Sequence, residues 1–242
     1  MLTIFKKEIT AFLSSLIAYI TITAFLVVTG LFLWVFPNSS ILEYGFASLD
    51  SLFSIAPWVF LLLIPAITMR SFSEEKKTGT IELLATRPVS DLQIILGKYF
   101  AGLALAVFAL VPTVVYYITV YLLAVPTGNI DTGAVIGSYI GLLLLAGSFT
   151  AMGIFASSLR ENQIEAFVIS LFLCFFCFYG FDSISSLSLF GKVDTFIIQL
   201  GINEHYRSIS RGVLDTRDLI YFLSFTGIFI MLTKTVLESR KW

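Results

Sequence analysis

Residues 51–69 read SLFSIAPWVFLLLIPAITM, and residues 70–98 read RSFSEEKKTGTIELLATRPVSDLQIILGK. The first stretch has no charged residue; the second has nine, among them Arg70, Lys76, Lys77, Arg87 and Lys98. A helix rising 1.5 Å per residue crosses a ~30 Å hydrocarbon layer in about 20 residues. A central Asp, Lys or Arg costs roughly 2.5–3.5 kcal/mol on insertion scales, so charge-free runs mark where spans can sit. The change at residue 70 therefore reads as a spanning helix leaving the bilayer.

Working outward, five more charge-poor runs appear at 16–36, 99–125, 132–159, 166–181 and 219–237. Composition agrees. Hydrophobic residues are 57% and charged residues 13%, against about 45–50% and about 25% in soluble domains. That excludes disorder, and one soluble core of this size could not hide so much apolar surface. The balance of 15 Lys+Arg against 16 Asp+Glu excludes a basic nucleic-acid binder. Barrel strands alternate apolar and polar residues, whereas these runs are apolar all round. The expected fold is an all-α polytopic membrane protein with six spans in one domain. The fifth run is short and should borrow Gln163 and Ile164 or thin the bilayer. Pro57, Pro65 and Pro112 should kink spans two and three.

Orientation follows from Lys and Arg in the loops. Lys6, Lys7, the five cations of 70–98, Arg160, Lys234, Arg240 and Lys241 fall on one side, eleven of the 15. Both termini and residues 70–98 are thus expected in the cytoplasm. Residues 1–15 are amphipathic: Phe5, Ile9, Phe12, Leu13 and Leu16 share one face, with Lys6, Lys7 and Glu8 on the other. This is an interfacial helix with its apolar side on lipid, or the flank of span one. Residues 182–218, between spans five and six, are too apolar to stay solvated and should form an extracytoplasmic cap, with one short helix beginning at Asp194. Arg207 and Arg211 lie four apart there. Their face is a contact for a periplasmic partner or an anionic cargo group, or else a solvated surface with self-paired charges.

Cofactor and catalytic motifs are missing. Cys174 and Cys177 have CxxC spacing but sit mid-span without a basic neighbour, so they read as packing residues. His205 is the only histidine, which excludes a multi-histidine metal site and leaves no catalytic triad. Gly97-Lys98 lacks the spacing of a phosphate-binding loop and is followed by Tyr99, so any ATP must be bound by another subunit. In the fourth span, Gly133, Gly137 and Gly141 step by four. That stripe reads first as packing within one subunit and second as a dimer seam. In residues 70–97, Thr78-Gly79-Thr80 marks a turn, Pro88 a helix stop, and Ser90 with Gln93 a capping box that opens straight into span three.

Glu75, Thr80, Glu82-Leu83-Leu84, Pro88, Ser90 and Gly97-Lys98 together resemble the signature that follows span two in ABC-2-type transporter permeases of the type V exporter kind. The resemblance extends to the Lys6-Lys7-Glu8 helix, the six spans and the basic C-terminus. More narrowly, the run from His205 to Asp215 is similar to the permease subunit of the gliding-motility ABC transporter. The resemblance implies half of a dimeric or pseudo-symmetric pore, a separate ABC ATPase subunit docked on the cytoplasmic helix, and an accompanying membrane or periplasmic subunit. Glu74, Glu75 and Glu82 would make charged contacts with the ATPase. Thr78, Gly79 and Thr80 would present the helix, and Pro88 would pass its displacement to span three. The competing reading is a membrane scaffold or mechanical transmitter driven by the same ATPase without solute transport.

This topology predicts that cysteines replacing Ser40 and Thr127 react with an impermeant thiol reagent from outside the cell, whereas one replacing Lys77 does not; the opposite labelling would invert the assignment.

Overall fold

Side-chain caps define where the long helices start. Ser15, Ser90, Asp131, Asn162 and Asp215 each accept a hydrogen bond from a backbone N–H in the first turn that follows. Such caps satisfy amide donors that have no partner within the helix. The computed structural model describes every residue except 38, 44, 86–88, 187–193, 213–214 and 240–242. Among the described residues there are only helices, turns and irregular segments.

The elements run α1 (Leu2–Leu13), α2 (Leu16–Trp34), α3 (Asp50–Thr68), α4 (Arg70–Lys77), α5 (Thr80–Ala85) and α6 (Asp91–Leu110). A 3-10 turn (Val111–Thr113) leads into α7 (Val114–Leu123), followed by α8 (Thr132–Leu159) and α9 (Gln163–Phe175). A π-turn (Phe176–Gly180) joins α9 to α10 (Phe181–Ser186), and α11 (Asp194–Leu200), α12 (Ile202–Ile209) and α13 (Thr216–Glu238) complete the chain. Six segments are long and apolar enough to cross a membrane: α2, α3 with α4, α6 with α7, α8, α9 with α10, and α13.

The most enclosed span is α8, with α3, α6, α9 and α13 packed around it. Its small residues make this possible. Gly137 faces the backbone of Gly212, Gly141 faces Ile209, Gly147 faces the Tyr99 hydroxyl, and Gly153 faces Thr68. At each place an added Cβ would come within 3.0 Å of the neighbour. The glycine stripe is therefore filled from within the subunit. Cys174 is buried and Cys177 half-buried, and neither is in a disulfide.

Several details differ from the sequence expectation. Pro57 and Pro65 both lie inside α3, and the hydrogen-bond ladder is also interrupted just after Met69, whose own backbone stays helical (φ −54°, ψ −30°). The cause is the Ser157 hydroxyl of α8. It accepts from the amides of Phe72 (2.9 Å) and Ser73 (3.1 Å) and donates to the Met69 carbonyl (2.9 Å). A side chain inserted into the backbone ladder opens it at that point. Pro112 does divide its span, within the 3-10 turn. The fifth span begins at Gln163 and, through the π-turn, continues past Asp182 to Ser186, which removes its shortfall in length. Span three starts at Asp91, so Lys98 lies inside a helix and is buried. Ser40 is buried as well, so of the two loop positions chosen for labelling Thr127 is the exposed reporter.

The packing of α8 generates a paired expectation. Gly153→Ala would push a methyl into the Thr68 side chain and should cost about 1–3 kcal/mol. Gly227→Ala meets nothing within 4 Å in α13 and should be neutral, or stabilising by up to ~1 kcal/mol through helix propensity. Thermal unfolding of the two variants in one detergent separates these outcomes.

Candidate functional site

The ammonium group of Lys98 organises one end of the bundle. It lies 2.7 Å from Glu8 Oε1, 3.0 Å from Glu75 Oε1 and 2.6 Å from the Ser71 carbonyl. A lysine has three N–H donors, and here each has an acceptor. The Phe72 ring centroid lies 5.0 Å from the same nitrogen. Glu75 Oε1 also accepts from Lys7 at 3.0 Å. Two cations and two carboxylates thus join α1, α4 and α6 into one neutral cluster. Partial burial works against the Lys7 charge. The hydrogen bond and charge of Glu75, with Glu8 and Glu74 behind them, outweigh it and hold Lys7 above the ordinary lysine range.

This geometry changes two assignments. Glu75 is buried and its charge is directed into the subunit, so it is not placed for an outward contact with an ATPase. Helix α1 does not simply rest on lipid: Glu8 belongs to the face that docks on α6, where Ile4 packs against Gly97. The sequence carried one overlooked signal, a lysine seven residues into the helix that Ser90 caps, flanked by Ile94, Ile95 and Tyr99.

Beyond this cluster, α4 ends in a turn. Gly79 has φ +68°, a left-handed conformation that favours glycine, with open space around it. The Thr78 hydroxyl donates to the Glu74 carbonyl (2.8 Å) and lies 3.0 Å from that of Thr80. Glu74, Lys77, Thr78, Gly79, Thr80 and Glu82 are all exposed. Pro88 lies outside the described residues. Ser90 and Gln93 form the expected reciprocal capping box, at 3.3 and 3.4 Å. Lys76 donates to the Ser158 carbonyl near the end of α8, a cation at the negative end of a helix dipole.

The other end of the bundle lies ~26 Å away along α3, at 1.5 Å per residue from Phe53 to Arg70. There the Tyr206 hydroxyl of α12 donates to the Phe53 carbonyl at 2.6 Å. Burial pushes the Tyr206 phenol up, so it stays neutral. The Ser138 hydroxyl donates to the Ser210 carbonyl at 2.8 Å. His205 sits between Asp218 Oδ1 (Nδ1, 2.7 Å) and the Gln199 carbonyl (Nε2, 2.9 Å), stacked on Tyr221. Its contacts tie α11 and α12 to the start of α13, a role the sequence did not reveal. Arg207 is in α12 and Arg211 just beyond it. Both line a cleft of about 340 Å³ with Asp50, Trp58, Tyr179 and Asn203.

Six helical spans, a charged helical segment at one end and a helical cap at the other define a polytopic membrane protein. Residues 37–201 match the family model described as ABC-2 family transporter protein, and the chain belongs to that family. It is similar to the probable multidrug ABC transporter permease YbhR of Escherichia coli strain K12 and of strain O157:H7. Each is 25% identical over 135 residues, which are 56% of this chain and 33% of the relative. The chain therefore spans about a third of the length of the curated relatives it matches.

The cluster sets an expectation. Lys98→Met takes the central cation from the buried Glu75 and the half-buried Glu8, leaving Lys7 alone to face them, and should cost about 3 kcal/mol. In Lys98→Met/Glu75→Met one carboxylate is gone, so part of the loss should return. Thermal unfolding of both variants checks the order.

Proposed function

We propose that the chain is the permease half of an ATP-driven exporter in a bacterial inner membrane. Two copies, or a pseudo-symmetric pair, would form the pore, and a separate ABC ATPase would dock on α4 and α5. The observation that carries this reading is the mechanical continuity of α4. It runs on from α3, is bridged to α8 by Ser157, and is tied to α6 and α1 by Lys98 and Glu75. A force on the exposed turn at Thr78, Gly79 and Thr80 would therefore move three spans together. Glu74 and Glu82, both exposed, are the carboxylates available to an ATPase, while Glu75 holds the lever to the bundle.

The opposite cleft supports a cargo or partner role for Arg207 and Arg211. Neither guanidinium has a carboxylate partner among the described residues, and aromatic rings line the cleft below them. An anionic group on an otherwise apolar cargo, or an acidic segment of a periplasmic subunit, would suit that chemistry. The multidrug label of the relatives favours the cargo reading. A gliding-motility machine rests on the run from His205 to Asp215 alone.

Two variants test the ATPase reading. Gly79→Pro cannot adopt the observed positive φ, and Glu74→Lys/Glu82→Lys reverses two exposed charges. Both should insert normally and capture the ATPase about tenfold more weakly. Unchanged docking and unchanged coupled ATP hydrolysis would reduce the turn to a connector.

A further inference from the structure

Next to the charged cluster, between α1, the junction of α3 with α4, and α6, lies a cavity of about 340 Å³. It has two chemical ends. Phe12, Ile67 and Leu105 form an apolar end within the spans, and Arg70, Glu75 and Lys98 form a charged end. Three cations and three carboxylates line it in all, so it selects neither anions nor cations by net charge.

What the cluster leaves unpaired is more specific. Lys98 has used its three donors, and Glu75 Oε1 serves two lysines. Glu75 Oε2, however, is buried with no hydrogen-bond partner, and so is Arg70 Nε. Arg70 is anchored from its other side, where Nη1 donates to Ser15 Oγ at 3.2 Å. A buried carboxylate oxygen and a buried guanidinium N–H left unmatched are costly. Both residues line the cavity, so a ligand bringing an acceptor to Arg70 and an N–H donor to Glu75 would satisfy atoms that the protein leaves unmatched.

We propose that this cavity binds a phospholipid with an ethanolamine-type headgroup. The phosphate diester would accept from Arg70, the ammonium group would donate to Glu75, and an acyl chain would run along the apolar end. A choline headgroup has the same two charges but no N–H to donate. A glycerol headgroup has hydroxyl donors but no cation. Lys7 is the side chain that yields, since it is 60% exposed and its ammonium already rests on Glu75 at 3.0 Å. When it swings into solvent it uncovers the Glu75 carboxylate, and the lipid ammonium, with three N–H donors, reaches the unmatched Oε2 as well as Oε1. This inference does not depend on the ATPase reading.

The test uses the full chain in mixed micelles holding equimolar phosphatidylethanolamine, phosphatidylcholine and phosphatidylglycerol with matched acyl chains. Native mass spectrometry identifies the lipid retained. One phosphatidylethanolamine per chain should be retained, enriched about tenfold over the other two, the worth of one hydrogen bond to a charged group. On the unaltered chain, retention should persist with N-methyl and N,N-dimethyl headgroups, which keep an N–H, and drop at choline. Arg70→Gln and Glu75→Gln should abolish the preference, and Lys7→Ala should keep it. Where a variant does not fold, the headgroup series decides alone. Equal retention of the three lipids, or a preference for phosphatidylglycerol, would overturn the proposal. Full displacement of the lipid by millimolar O-phosphoethanolamine would show a soluble headgroup to be the ligand and overturn the lipid assignment.

Discussion

An ammonium group placed out of water must find an acceptor for every N–H, and that requirement governs one end of this protein. Lys98 cannot be buried in α6 unless α1 supplies Glu8, α4 supplies Glu75 and the backbone at Ser71 turns its carbonyl inward. The three elements are therefore positioned by one nitrogen. Such a cluster is a poor source of net stability, because desolvation offsets much of the attraction. Its value lies in geometry. An alternative register of α1 or α4 would strand at least one charge, so the arrangement is specified even where apolar packing alone would leave room to slide.

The other organising constraint is close approach of backbones around α8. Apolar side chains give little reason for helices to associate in lipid, where the surroundings are equally apolar. Small residues let the backbones come close enough for dispersion and hydroxyl bonds to decide. Gly137 on Gly212 holds the cap, and Gly153 on Thr68 holds α3. Ser138 and Ser157, on the same helix, add hydrogen bonds at the two ends. The cap and the charged segment are thus seated on one rigid element.

Six spans and their rough limits were legible because hydrocarbon thickness writes itself into run length. The capping box at Ser90, the turn at Gly79 and the helix beginning at Asp194 were legible because those residue types carry local signals. The burial of Lys98 was not. A hydropathy reading treats every lysine as a boundary, and nothing local reveals that Glu8, 90 residues earlier in the chain, will meet it. For the same reason Glu75 looked like a surface contact. Its neighbour Glu74 has identical chemistry, and only the rotation of α4 against α6 distinguishes them. The interruption of the ladder after Met69 was hidden because its cause, Ser157, is 88 residues distant.

The π-turn at residues 176–180 also shifts the phase of its span. One wide turn adds a residue to the ladder, so every side chain beyond it is rotated by about 100° relative to a uniform α-helix. That rotation brings Asp182 to the Asn203 amide, which donates to it. In a helix of constant pitch the same carboxylate would point a quarter-turn away from its donor. The apolar surface of α9 and the polar surface of α10 are thus set independently of each other. One helix can present rings to the bilayer along most of its length and still deliver a carboxylate to the cap.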